Sequence, residues 1–293
     1  METIMIDTMN GLSTRMAALA HESPIYEKLA RYFIKDYMQV IFMTASEVAK
    51  TAKVSQGSVS RFCSALGYRG YNDLQRNLQH IVREEITAPQ RYIMSFDKTG
   101  NKNKVAEIAA SESENIKELE LVLQSESYKL IAKTLANAKE VVLLSSRMSA
   151  TLLPYMHYVM NKIRNNVSMV TPETLLWDTI NLKDIKAAAI FAVCYPRYPV
   201  TLLEKLKELK AAGFTVYALT DSNFSPVSAI ADETIFVPIT VSSIFDIYST
   251  PILFLNLLCR DIAKNTDQID KRLECIEQYD NKNGVYYKNT KGK

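Results

Sequence analysis

The apolar pattern of this chain changes character once, and that change limits the folds open to it. Up to about Ile86 the apolar residues recur only at helical spacing. Ser23 and Pro24 form an N-cap and N1 pair ahead of a stripe of Ile25, Leu29, Tyr32 and Phe33. Thr44 and Glu47 have capping-box spacing, Ser55 opens a further helix to about Leu66, and Tyr71 to Val82 carries Leu74, Leu78 and Ile81 on one face. Past a polar stretch, short apolar runs alternate with helical stretches. The runs are Glu140 to Ser145, Val167 to Val170, Ala187 to Cys194, Thr215 to Leu219 and Thr234 to Val237. Helices are expected over Ser149 to Ile163, Glu173 to Ile180, Pro199 to Ala212 and Pro226 to Ile230. Strands of this kind, separated by helices, predict a parallel sheet covered on both faces. The fold class expected is therefore an all-α domain, read as a helix-turn-helix domain on the segment Glu47 to Phe62, followed by a doubly wound, five-stranded parallel α/β sheet.

The chain's 293 residues suit two domains. The expected division is a helical domain over 1–87, a linker over 88–103 containing Pro89 and Gly100, an α/β domain over 104–265, and a C-terminal helix and tail over 266–293. A helix is expected from Val105 to Val122, with Ile108, Ile116, Leu119, Val122 and Leu123 inward, and another from Ile244 to Ala263. The chain has only 8 glycines, and between Asn101 and Asn283 only Gly213 occurs. A glycine-rich nucleotide loop in the second half is thereby excluded, because such loops need backbone that turns tightly against phosphate. Gly213 falls just after an expected helix, where a left-handed C′ residue is wanted.

Cys63, Cys194, Cys259 and Cys275 have no paired spacing and read as buried thiols. His21, His80 and His157 lie at no metal-ligand spacing, so neither a metal nor a cofactor is expected. No apolar run reaches the roughly 18 residues of a membrane span, and the start of the chain shows no secretory signal. A cytoplasmic location without membrane contact is the expectation. Trp177 reads as packing, and Met148, Met156 and Met160 as helix core.

The most specific segment is Glu47 to Phe62. Ala49 is small where two helices would cross, Val54 plugs the turn, Val59 packs back, and Ser55 caps the second helix. Gln56, Gly57, Ser58, Ser60 and Arg61 are left near an exposed helix N-terminus, where a recognition helix meets the major groove. Gln can read adenine, Arg can read guanine or grip phosphate, and the serines suit phosphate. Between Ile41 and Arg83 the bases Lys50, Lys53, Arg61, Arg69, Arg76 and Arg83 face two acids, Glu47 and Asp73. That local surplus of four exceeds the net +3 of the whole chain. Phosphate attraction needs such a patch and not a high global charge. The candidate DNA-binding residues are Lys53, Ser55, Gln56, Gly57, Ser58, Ser60, Arg61 and Arg69.

The run Leu66-Gly67-Tyr68-Arg69-Gly70-Tyr71-Asn72-Asp73-Leu74, close behind Ser-Val-Ser-Arg-Phe (Ser58 to Phe62), resembles the RpiR family of transcriptional regulators. The second domain would then be a SIS (sugar isomerase) domain, a likeness carried chiefly by Ala218 to Asp232. The Pro-Arg-Tyr run at Pro196 to Tyr198 resembles a branch of these regulators with Phe-Pro-Arg-Tyr at this loop.

In an open parallel sheet, ligands sit beyond the carboxyl ends of the strands at the switch in strand order. The resemblance implies the same two loops, Ser145 to Ser149 and Cys194 to Pro199. Sugar-phosphate-binding SIS domains hold phosphate there with hydroxyls and glycine backbone. Here Ser145 and Arg147 stand in place of the glycines and Ser149 is kept, while Cys194, Pro196, Arg197 and Pro199 replace Ser, Ser, Gly and Thr. Arg147 and Arg197 are expected to supply an anion site from guanidinium groups. The candidate ligand residues are Ser145, Ser146, Arg147, Ser149, Tyr195, Arg197, Tyr198, Thr220 and Asp221.

The expected function is a sequence-specific transcriptional regulator, not an enzyme. Its partners would be a double-stranded operator with an inverted repeat and a small anionic metabolite, a sugar phosphate or sugar acid. A homo-oligomer, dimer or tetramer, would place recognition helices about 34 Å apart. Two alternatives stand beside this reading. One is a sugar-phosphate isomerase or deaminase with an appended helical domain, although neither ligand loop holds a His or Glu for acid–base work. The other is a regulator whose effector domain only dimerises.

Overall fold

A computed structural model describes residues 8–82, 89, 92, 104–223, 225–241 and 245–287. The expected linker therefore lies almost wholly outside the described residues. The chain divides into two compact units, 1–117 with 239–248 and 118–238 with 249–293.

In the first unit, α1 (Met9–Ala20), α2 (Pro24–Val40), α3 (Ala45–Ala52), α4 (Gln56–Ala65) and α5 (Tyr71–Val82) surround one core. Leu12 and Met16 of α1, Leu29 and Phe33 of α2, Val48 of α3, Val59 and Phe62 of α4, and Leu74 and Leu78 of α5 are all fully buried. Helix α1 is an addition to the sequence reading. Local caps set the boundaries: the hydroxyls of Ser23, Thr44 and Ser55 accept N–H bonds from Tyr26, Glu47 and Ser58. Thr44 and Glu47 complete the capping box in both directions. The tyrosine and glutamines of α5 satisfy backbone that α2 leaves open. Tyr71 Oη donates to Val40 O and Met43 O, and the Gln75 and Gln79 amides donate to Ile41 O.

Helix α6 (Lys104–Gln124) follows, and α7 (Glu126–Asn137) was not expected. Leu119 of α6 is buried as expected, but Ile116 is exposed. The second unit carries a five-stranded parallel sheet in the order β2-β1-β3-β4-β5. The strands are β1 (Glu140–Ser145), β2 (Val167–Val170), β3 (Ala188–Val193), β4 (Val216–Thr220) and β5 (Glu233–Phe236). Every residue of β3 is buried, which fits the middle strand of a sheet covered on both faces. Helix α8 (Leu153–Ile163) is preceded by a 3-10 stretch, Arg147–Leu152, so the helix expected from Ser149 begins late, at Pro154's turn. Helix α9 (Leu175–Thr179) is short, and α10 (Val200–Ala211) ends at Gly213, whose φ of +93° is the left-handed cap foreseen.

Two expected helices are corrected. Over Pro226 to Ile230 the bonds are chiefly turn-type, such as Ser228 N–H to Ser225 O and Ile230 N–H to Val227 O, so no helix propagates. The helix expected from Ile244 begins at Ser249 as α11 (Ser249–Lys264). Ahead of it, β6 (Thr240–Val241) and β7 (Asp246–Ile247) pair antiparallel. Asn115 of α6 donates to Thr240 Oγ1 at 3.0 Å and holds the first of them. Helix α12 (Ile269–Asn283) follows, and its Arg272 donates to the carbonyls of Asn161 and Lys162, closing the end of α8.

Candidate functional site

The helix-turn-helix of the first unit is α3 and α4 with the turn between them. Lys53 ends α3 in the left-handed region, φ 54°, and its N–H reaches Ala49 O and Lys50 O. Val54 N–H also bonds Ala49 O at 2.9 Å. These bonds turn the chain so that Ser55 can cap α4 at once. Of the candidate DNA-binding residues, Lys53, Ser55, Gln56, Gly57, Ser60, Arg61 and Arg69 are exposed. Lys50 is exposed as well. Ser58 is the exception. It is buried, and its hydroxyl lies 2.9 Å from Ser55 Oγ and accepts from Arg61 Nη2 at 3.2 Å. Direct phosphate contact by Ser58 is therefore corrected, because the residue is buried and its hydroxyl is bonded to Arg61 and Ser55.

The run from Leu66 to Leu74 is scaffold for this face. Gly67, φ +93°, is the C′ residue of α4, and Tyr68 N–H closes back on Cys63 O. Tyr68 is buried and its hydroxyl donates to Asn77 Oδ1 at 2.6 Å. The buried Asp73 accepts Arg69 N–H at 3.1 Å and lies 3.7 Å from Arg76 Nη2. Cys63 is buried beside them, and burial pushes its thiol up to about 12. Burial raises Cys259 to about 12 in the same way, and Cys194 is buried, but Cys275 is exposed, which corrects the expectation for that one thiol.

In the second unit the strand order puts the topological switch between β1 and β3. The loops that follow these strands meet there. Ser145 Oγ donates to Val193 O at 2.6 Å, and Ser149 Oγ accepts Tyr195 N–H at 3.0 Å. Both hydroxyls are buried and committed to backbone. Among the described residues, Ser146 Oγ is buried with no hydrogen-bond partner, and so is Ser225 Oγ beyond β4. Arg147, φ 55°, and Arg197 are exposed. Glu173, past β2, is held below the ordinary Glu value, first by its bond with Thr171 and to a smaller degree by the Arg147 charge.

Tyr195 is fully buried and its hydroxyl donates to Val237 O at 3.2 Å, so its ring belongs to the core and is not available to stack on a ligand. Tyr198 is 7% exposed and donates to Asp221 Oδ1 at 2.7 Å. Thr220 Oγ1, itself buried, donates to the same oxygen at 3.0 Å. Asp221 thus ties the β4 loop to the β3 loop. Trp177 is buried under the Lys205 ammonium, 5.7 Å from its ring centre, which is the packing role expected. Met156 and Met160 are core, whereas Met148 is 44% exposed at the start of the β1 loop. Ser225, whose hydroxyl has no partner among the described residues, was not among the expected site residues. Among the described residues no group of three or more His, Cys, Asp or Glu is placed to hold a metal ion, and no helix is long and apolar enough to cross a membrane.

These two sites define a class: a helix-turn-helix domain joined to a sugar-isomerase-type α/β domain. Residues 14–85 match the helix-turn-helix domain of the rpiR family, and residues 134–259 match the SIS domain. The chain therefore carries a helix-turn-helix domain of the rpiR type followed by a SIS domain. It is 24% identical over 223 residues to TTE0211 of Caldanaerobacter subterraneus subsp. tengcongensis, called an uncharacterized HTH-type transcriptional regulator, across 73% of this chain and 75% of that protein. It is 21% identical over 271 residues to another such regulator, YbbH of Bacillus subtilis, across 89% and 95%. Two solved structures share the fold. One is the sugar isomerase domain of an RpiR transcription factor from Sphaerobacter thermophilus, with TM-score 0.55 and 18% identity over 62% of this chain and 99% of that one. The other is the Vibrio vulnificus NanR protein complexed with ManNAc-6P, with TM-score 0.55 and 17% identity over 94% and 100%.

Proposed function

We propose that the chain is a sequence-specific transcriptional regulator whose SIS domain takes a small anionic metabolite, a sugar phosphate or sugar acid, and carries the main homo-oligomer contact. One observation carries the DNA-binding half of this reading. Gln56, Gly57, Ser60 and Arg61 are exposed on α4, flanked by exposed Lys50 and Lys53. Among the described residues, Lys50, Lys53 and Arg61 make no ion pair. Unpaired cations around a helix N-terminus attract phosphate and leave the polar side chains of α4 to meet base edges.

The metabolite half rests on Arg147 and Arg197, both exposed in the two loops at the strand-order switch. The solved relative with ManNAc-6P supports an anionic sugar as the class of ligand. A metabolite that favours one oligomer geometry would shift operator affinity by its differential binding.

The test is enrichment of duplexes from a random-sequence pool by the full chain, then anisotropy titration of the enriched duplex at several salt concentrations. An enriched inverted repeat, bound with a steep salt dependence, is expected. Failure to enrich any duplex overturns the regulator reading. Turnover of an aldose or ketose phosphate would replace it with the enzyme.

A further inference from the structure

Ser58 fits no simple role on the proposed DNA-binding face. It is 4% exposed, so it cannot reach DNA, yet its hydroxyl is not idle. It accepts from Arg61 Nη2 at 3.2 Å and lies 2.9 Å from Ser55 Oγ. Ser55 Oγ in turn accepts Ser58 N–H at 3.1 Å, as the N-cap.

The direction of this chain follows from counting protons. A buried hydroxyl hydrogen needs an acceptor. The Arg61 guanidinium has only donors, so the Ser58 hydroxyl hydrogen goes to Ser55 Oγ. Ser55 then accepts twice and turns its own hydrogen outward, from an exposed residue at the end of α4. Every donor in the chain, from Arg61 through Ser58 to Ser55, runs toward the N-terminal end of the helix.

Arg61 also rests on bare backbone. A Cβ on Gly57 would stand 3.5 Å from Arg61 Nη1, so the guanidinium lies beside the glycine. The first turn of a helix is an unfavourable place for a free cation, since the helix already presents partial positive charge there. A long, exposed arginine left to itself would swing away into water. Here a part-buried hydrogen bond to Ser58 holds it back.

From this we infer that Ser58 is a positioning residue: it seats the Arg61 guanidinium on the first turn of α4, so that Arg61 and the Ser55 hydroxyl form one ready-made donor set for DNA. The inference rests on the proposed DNA-binding function and deepens it. Preorganisation of this kind matters because an arginine that is already placed loses less rotamer freedom on binding.

A double-mutant cycle on the full chain tests it. The probe is the duplex that the wild-type chain enriches from a random pool. Ser58→Ala is expected to weaken binding about tenfold in the wild-type background, the scale of one hydrogen bond to a charged group. In an Arg61→Ala background the same change is expected to alter binding less than about twofold, because nothing is left to position. Equal weakening in both backgrounds, or no weakening in either, overturns the inference. A second readout covers a Ser58→Ala chain that does not fold, and also a wild type that enriches no duplex. In wild-type protein free of DNA, nitrogen relaxation at Arg61 Nε should give an order parameter near 0.85, typical of rigid backbone. A value below about 0.6 overturns the positioning role, whether or not the regulator reading survives.

Discussion

Ser149 Oγ accepts the backbone N–H of Tyr195 at 3.0 Å, and this bond joins the loop after β1 to the loop after β3. Both groups are buried. The hydroxyl that the family resemblance assigns to a ligand is thus bound to the protein's own backbone. Ser145 is committed in the same way, to Val193 O. Ser146 Oγ, also in this loop, is buried and has no hydrogen-bond partner among the described residues.

Ser149→Ala should therefore act on stability first. It strands a buried N–H, which costs about 1–3 kcal/mol. Urea unfolding of the full chain should show the sheet-bearing unit melting earlier, with the helical unit unchanged. A variant as stable as wild type would show that the Tyr195 N–H does not depend on this acceptor.

Arg147→Ala and Arg197→Ala should leave the fold intact, because both side chains are exposed. Each is expected to abolish or strongly reduce the thermal shift given by the best sugar phosphate or sugar acid in a screen. Tyr198→Phe, which removes the bond to Asp221, should weaken that shift by a smaller factor, since it loosens the loop without removing a charge. An unchanged shift in both arginine variants would leave the anion site without support.

The parts of this structure that were legible in the sequence are those set by local chemistry. Ser23, Thr44 and Ser55 cap the helices they were expected to cap, and Gly213 takes its left-handed conformation one residue past a helix C-cap. Helix α7, unassigned from sequence, carries an open signal in the Ser125 cap and the buried stripe of Tyr128, Ile131, Ala132 and Leu135. What was not legible depends on distant partners. Nothing near Thr240 announces a strand; it pairs with Ile247 and is held by Asn115, 125 positions away. The site divides along the same line. Exposure of Gln56 and Arg61 follows from helix periodicity. The burial of Tyr195 depends on a distant acceptor, Val237 O, 42 positions away, whereas Ser58 meets Ser55 only three positions back, a local contact that helix spacing already allowed.

Asp232 should govern part of the acid stability of the sheet-bearing unit. Burial alone would raise its carboxyl, but bonds from the Lys210 ammonium and the Val216 N–H outweigh that and hold it below the ordinary Asp value. A depressed folded-state value means stability that is present above the unfolded Asp pKa, about 3.9, and lost as pH falls through the folded one. Asp232→Asn should therefore be less stable than wild type at neutral pH, with the gap closing below about pH 4. Because the side chain is 37% exposed, solvent screens the Lys210 pair and the gap should be modest. A gap independent of pH would assign the effect to altered packing or hydrogen-bond geometry and not to the carboxylate charge.

Lys53 allows fold and function to be separated within the helix-turn-helix. Its φ of 54° places a side chain in the left-handed region, which costs a non-glycine residue about 1–2 kcal/mol. Glycine has no such cost, though it has more freedom to lose on folding. Lys53→Gly should therefore stabilise the helical unit, by up to about 1 kcal/mol, as read by thermal unfolding. The same change removes an exposed cation from the turn proposed to face DNA. Affinity for the enriched duplex should fall uniformly across sequences, and the slope of log affinity against log salt should drop by about one. Stabilisation with unchanged affinity and slope would place Lys53 outside the DNA contact.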